Sequence, residues 1–139
     1  MKILLSTQIR ELDEYTIKHE PVRSIDLMER AAHAFTDWFK LHFKPANPIK
    51  IFCGTGSNGG DGLAIARLLA TAKYPVTAYG VRYSENISED CKDNEKRLKK
   101  YLEIQKIRTT KDIPTIDKED WVIDALFGSG LNRPIEGLA

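Results

Sequence analysis

No apolar run in this sequence approaches the roughly 20 residues that a bilayer-spanning helix needs. The segment Ile3–Leu5 is likewise too short for the core of a signal peptide. Cysteine is scarce: Cys53 and Cys91 stand far apart, which excludes a disulfide framework and points to a reducing compartment. A cytoplasmic location is therefore expected. Charge of one sign is also missing, since 21 basic against 20 acidic residues leave a formal net charge of +1. Without a basic footprint, neither nucleic acid nor an anionic membrane is an expected partner. His19, His33 and His42 do not have the spacing of a zinc site. No Gly-Lys-Ser/Thr follows a glycine loop, so a Walker site is excluded. No serine lies in a nucleophile elbow, and neither cysteine has a histidine close in sequence.

What remains is the composition of a globular domain: 139 residues, 42% hydrophobic and 29% charged, with nine glycines and six prolines. The stretch 85–120 carries ten acidic and nine basic residues, a solvated surface. Ser6 or Thr7 is expected to cap a first helix with Ile9, Leu12 and Ile17 at helical spacing, closed by Pro21. Ser24 is expected to cap a second, in which Ile25, Met28, Ala31, Ala32, Phe35, Trp38 and Phe39 recur at three- and four-residue steps. Ile49–Cys53 predicts a buried strand, and Leu63–Ala72 a helix apolar nearly all round. A strand Val76–Val81, a charged helix from Ser88 to about Leu102, a weak strand Ile104–Ile107 and a last strand Trp121–Phe127 follow. The alternation predicts parallel βαβ units with right-handed crossovers. The expected fold is α/β: a Rossmann-like three-layer domain with a mainly parallel sheet, preceded by two helices. Residues 1–139 would form one domain, incomplete at its carboxyl end, as the front piece of something longer.

Between the first strand and its helix lies Gly54–Gly62, GTGSNGGDG. Ligands of doubly wound sheets bind at the carboxyl ends of strands. Glycines there permit positive φ and close approach, while the amides of the following helix face an anion. Gly54-Thr55-Gly56-Ser57-Asn58-Gly59 satisfies the G-x-G-x-x-G dinucleotide pattern, a weak match strengthened by its strand and helix context. A phosphate-bearing ligand is expected. Gly60-Asp61-Gly62 then adds a carboxylate that a plain pyrophosphate cradle would repel. Asp61 either faces another part of the ligand, a cation or a backbone amide, or caps the helix. Asn58 either serves the ligand or is a turn residue. Arg82 ends the second strand where an acidic residue usually holds the ribose; it suits a 2′-phosphate or is plain surface.

Asp124 sits inside an otherwise apolar strand, where a carboxylate is costly unless satisfied. After it comes Gly128-Ser129-Gly130-Leu131-Asn132-Arg133-Pro134, a second glycine turn with an arginine. With the fourth strand beside the first, both turns face one cleft. Asp61 and Asp124 would then share a monovalent cation or divide acid–base work, unless Asp124 is merely structural.

Glu11-Leu12-Asp13 with Thr16-Ile17, Ser24 with Leu27-Met28-Glu29-Arg30-Ala31, Cys53-Gly54 with Asn58–Leu63, and Asp124–Gly128 with Gly130-Leu131 and Arg133-Pro134 occur in this order. In that combination the chain, from about residue 7 to its end, resembles the YjeF N-terminal domain family. Catalytic members are NAD(P)H-hydrate epimerases, which interconvert the R and S epimers of hydrated NADH or NADPH, so that an S-specific dehydratase repairs both. The resemblance implies substrate contacts from Ser57, Asn58, Gly59, Gly60 and Asp61, and from Gly128, Ser129, Gly130, Leu131, Asn132, Arg133 and Pro134. It implies a potassium ion on Asn58 and Asp124, and Asp61 is the candidate acid–base group. Fusion to, or cooperation with, an ADP- or ATP-dependent dehydratase and a homodimer are further expectations. Ser57 stands where the family usually has asparagine and Ser129 where it usually has threonine. A later substrate aspartate and potassium-binding serine of the family lie on strands this chain lacks. A non-catalytic binding or scaffold domain of the same fold, and an NADP-binding oxidoreductase half-domain, are the alternatives.

Overall fold

The structure, a computed structural model, describes residues 4–129, 131 and 134–138. Its elements follow the order α1 (Ser6–His19), α2 (Ser24–His42), β1 (Ile49–Cys53), α3 (Ser57–Thr71), β2 (Val76–Val81), α4 (Glu89–Leu98), β3 (Ile104–Ile107) and β4 (Trp121–Ala125). The strands form one sheet in the order β3-β2-β1-β4, and every pair is parallel. The α/β class and the two leading helices are as the periodicity predicts.

Alternation in β1 places Ile49, Ile51 and Cys53 in the core and leaves Lys50 and Phe52 half-buried on the other face. The core side meets α2, α3 and α4 through Ala32, Phe39, Leu63, Ala64, Ala66, Leu69, Cys91 and Leu98. α3 is apolar nearly all round because it packs on both neighbouring helices and the sheet. Returning from β3 at one edge to β4 at the other carries the chain over the opposite face. There the Lys50 ammonium donates to the Thr115 carbonyl at 2.6 Å and pairs with Asp120. Tyr79, Val81 and Ile107 form a second apolar cluster, against which Phe52, Tyr83 and Leu126 pack. Among the described residues that face is crossed by this irregular segment, which holds only a short 3₁₀ turn at Thr110–Asp112.

Local capping departs from expectation at two helices. α1 begins after Leu5, whose N–H donates to the Gln8 side chain at 2.9 Å, so Ser6 and Thr7 are not its caps. α2 begins after Arg23; the Ser24 hydroxyl instead donates to Asp90 at 2.6 Å, tying α2 to α4. Ser88 does cap α4, accepting from the Cys91 N–H at 3.3 Å, and the helix ends at Leu98 rather than near Leu102. α1 has no buried residue, with Ile9 and Leu12 about half exposed, although their spacing is helical.

Candidate functional site

Strand order reverses between β1 and β4, and the carboxyl ends on either side of such a switch point form a crevice. Gly54–Gly56 leave β1 at this end, and Leu126–Ser129 leave β4. The two turns are joined directly. Gly54 N–H donates to the Ala125 carbonyl at 3.0 Å. The Tyr83 hydroxyl donates to the Leu126 carbonyl at 3.1 Å and accepts from Thr55 N–H at 3.3 Å. The Asn58 amide donates to the Phe127 carbonyl at 2.9 Å, and the Asp124 carboxylate accepts from Leu126 N–H at 2.9 Å.

Close approach, not left-handed backbone, is what the glycines of the first turn supply. None of those in Gly54–Gly62 has positive φ. A Cβ on Gly54 would stand 2.1 Å from the Leu126 carbonyl oxygen, and one on Gly59 the same distance from the carbonyl oxygen of Gly54. α3 begins at Ser57, so most of the expected glycine loop is helix, and Asp61 lies in its second turn. The N-cap is Gly56, without a side-chain cap, and Gly60 N–H is the first of the turn to close, at 3.1 Å on Gly56. The N–H groups of Ser57, Asn58 and Gly59 lack intrahelical partners and present the positive end of the helix dipole to the crevice.

A cavity of about 560 Å³ opens here. Ser57, Asn58, Asp61, Gly128 and Ser129 line it, so five of the sequence-predicted residues come together from two separate turns. Ile9, Arg10 and Asp13 of α1 form another wall, and sequence reasoning missed them as site residues. Their three- and four-residue spacing puts them on one face of α1, a signal that is indistinguishable from ordinary amphipathicity. A smaller cavity of about 250 Å³ shares Asp13, Ser57 and Asp61 and adds Ile17 and Met28. Gly59 and Gly60 do not line the larger cavity; both are buried, Gly60 against Met28. Leu131 and Pro134 are exposed and outside its lining. Gly130, Asn132 and Arg133 lie outside the described residues.

Asp61 is half-buried, and burial pushes its carboxyl up to about 6; the nearby carboxylates of Asp13 and Asp90 add to this. Capping is not its role, since Gly56 holds that position. Asp124 is exposed among the described residues, on β4, which pairs with β1. It braces the β4 turn and does not line the cavity. Arg82 is not plain surface: its guanidinium pairs with Glu95, both largely buried. Cys53 and Cys91 are buried free thiols; burial raises Cys91 to about 11 and Cys53 further, so both stay protonated and inert.

A family model described as YjeF-related protein N-terminus matches residues 24–139. A protein of Limosilactobacillus fermentum named NAD(P)H-hydrate epimerase is 37% identical over 134 residues, covering 96% of this chain and 62% of its own length. One of the same name from Rhodobacter capsulatus is 34% identical, with 98% and 66% covered. A bifunctional NAD(P)H-hydrate repair enzyme of Dictyoglomus turgidum is 32% identical, with 98% and 27% covered. The crystal structure of yeast ynu0 shares the fold, with a TM-score of 0.76 at 24% identity, over 98% of this chain and 60% of that one. The chain therefore spans less than two thirds of the length of each of these relatives. α1, which walls the cavity, precedes the segment that the family model matches. On the match from Ser24 through both turns of the crevice, the chain belongs to the family of YjeF-related protein N-termini.

Proposed function

We propose that this chain carries NAD(P)H-hydrate epimerase activity, interconverting the R and S epimers of hydrated NADH and NADPH. The observation that carries the reading is Asp61: a half-buried carboxyl, pushed up to about 6, in the wall of a cavity that also receives the open amino end of α3. The names of the Limosilactobacillus and Rhodobacter relatives support it.

The free amides of Ser57–Gly59 suit a phosphate oxygen, and the dipole of α3 favours its charge. That leaves the hydrated nicotinamide ring for the part of the cavity lined by Asp61, Gly128 and Ser129. The epimerising carbon bears a hydroxyl beside the ring nitrogen, so losing and re-adding water, or opening the ring, needs a group that gives and takes a proton near neutral pH. Asp61, its carboxyl pushed up to about 6 by burial, suits that need. Asn58 and Asp124 fit a potassium ion in their chemistry. Both offer side-chain oxygens, and both brace consecutive residues of one turn, Phe127 and Leu126. With the Asn58 amide nitrogen committed to Phe127, its oxygen is free to face a cation. The ion would supply a fixed positive charge that holds both turns together. The Dictyoglomus relative, named as bifunctional, supports cooperation with a dehydratase.

The test mixes R- and S-hydrated NADPH with an S-specific dehydratase. Adding the polypeptide that carries this chain should turn partial conversion into complete conversion, faster than spontaneous epimerisation. Asp61→Asn should return it to the spontaneous rate. Complete conversion by Asp61→Asn at the original rate would remove Asp61 from the chemistry, and no acceleration by the parent polypeptide would refute the function.

A further inference from the structure

A second large cavity, of about 540 Å³, lies at the carboxyl ends of β2 and β3. Its walls include Arg82, Ser84, Glu85, Glu95, Lys106 and Arg108. Arg82 and Glu95 neutralise one another, and the Arg82 guanidinium lies over Gly80, where a Cβ would stand 3.0 Å from it. Lys106 and Arg108 are exposed, and no ion pair to either occurs among the described residues. Asp112, beside Arg108, is already occupied: it accepts from the N–H groups of Arg108 and Thr109, at 3.0 and 2.8 Å, and from the Thr109 hydroxyl at 3.1 Å. The Ser84 hydroxyl accepts from Asn86 N–H at 3.1 Å, which leaves its own proton to donate.

We propose that this cavity is an anion subsite for the 2′-phosphate of an NADP-type nucleotide, with Lys106 and Arg108 as its cations and the Ser84 hydroxyl as a donor. The inference rests on the reading of the first cavity as the nucleotide site. β2 and β3 lie one and two strand spacings from β1, roughly 5 and 10 Å, on the same carboxyl-end rim as α3. With a pyrophosphate at the amino end of α3 and the damaged ring towards β4, the adenosine half runs towards β2. There a dinucleotide fold reads the ribose, with an acid for a 2′-hydroxyl or an arginine for a 2′-phosphate. Here the arginine that sequence position suggests, Arg82, is consumed by Glu95. The two cations without such a partner come from β3 and the residue after it. Glu85, in the same wall, opposes an anion and sets an upper limit to the preference.

Calorimetric titration of the chain with adenosine 2′,5′-bisphosphate and with AMP reads the subsite without any turnover. Two partly exposed charge pairs should favour the bisphosphate by roughly tenfold, less at high salt. Lys106→Ala/Arg108→Ala, both at exposed positions, should abolish the preference and leave AMP affinity unchanged. Glu85→Gln should increase it a few-fold. Equal affinity for the two nucleotides, a preference that survives the double substitution, or inorganic phosphate competing as well as the bisphosphate would each overturn the proposal. A preference that follows these substitutions in a polypeptide without epimerase activity would support the subsite and refute the reaction assigned above.

Discussion

Replacing Asp61 by asparagine should make the folded chain more stable at neutral pH while removing the epimerase activity proposed above. The carboxyl is pushed from its ordinary 3.8 up to about 6, first by burial and then by Asp13 and Asp90. At 1.36 kcal/mol per pH unit, ionisation in the folded state is then disfavoured by about 3 kcal/mol relative to the unfolded chain. The side chain is partly open to solvent, and screening reduces this to about 1.5 kcal/mol. The sign follows from proton counting. Between 3.8 and about 6 the folded chain holds a proton that the unfolded chain has released, so stability falls as pH rises through that window. Below it the contribution of Asp61 vanishes; above it the full cost is present. Asparagine keeps the size and polarity of the side chain and removes the titration. Thermal unfolding of both proteins at pH 4 and pH 7.5 is the assay. The variant should gain about 5 °C at pH 7.5, at 3 to 4 °C per kcal/mol for a chain of this length, and almost nothing at pH 4. A variant no more stable than the parent at pH 7.5 would refute the reasoning, since it would mean that Asp61 is already satisfied as an anion.

Gly59→Ala places a methyl group 2.1 Å from the Gly54 carbonyl oxygen, and backbone on both sides must move. Overpacking outweighs the gain in helix propensity, for a net loss of about 2 kcal/mol in urea denaturation; an unchanged midpoint would show that α3 is free to shift away from β1. Tyr83→Phe removes the hydroxyl that joins Leu126 to Thr55 across the two turns. It should cost about 1 kcal/mol and shift the amide resonances of Thr55 and Gly128, and silence at both sites would show that the turns are joined without it.

Much of this could be read from single residues and their spacing. Apolar spacing locates β1, α2 and α3, whose buried faces impose the period on the residues themselves, while α1 shows the helical spacing without a buried residue and α4 is marked by its Ser88 cap. The run of glycines after Ile49–Cys53 marks the turn that has to pass close to another backbone. Boundaries were harder: β4 ends at Ala125 rather than Phe127, and α3 begins at Ser57 rather than Leu63. At the second of these, glycines that look like a loop are helical, since a helix pressed against a strand end needs small residues as much as a turn does.

The sequence by itself determined the α/β class, the parallel βαβ alternation and the two glycine turns with Asn58, Asp61 and Asp124 as candidates; that the turns meet was decided by the pairing of β1 with β4. Only the tertiary structure decided the state of each charge. Burial within the fold is the first cause that pushes Asp61 towards its protonated form, and α1, far from it in sequence, adds the charge of Asp13; Asp124, on β4, is exposed. Arg82 is tied to Glu95 because α4 lies beside β2, so the open cations of that rim are Lys106 and Arg108. Periodicity is a local property of the chain, whereas ionisation depends on which distant groups the fold brings within a few ångströms.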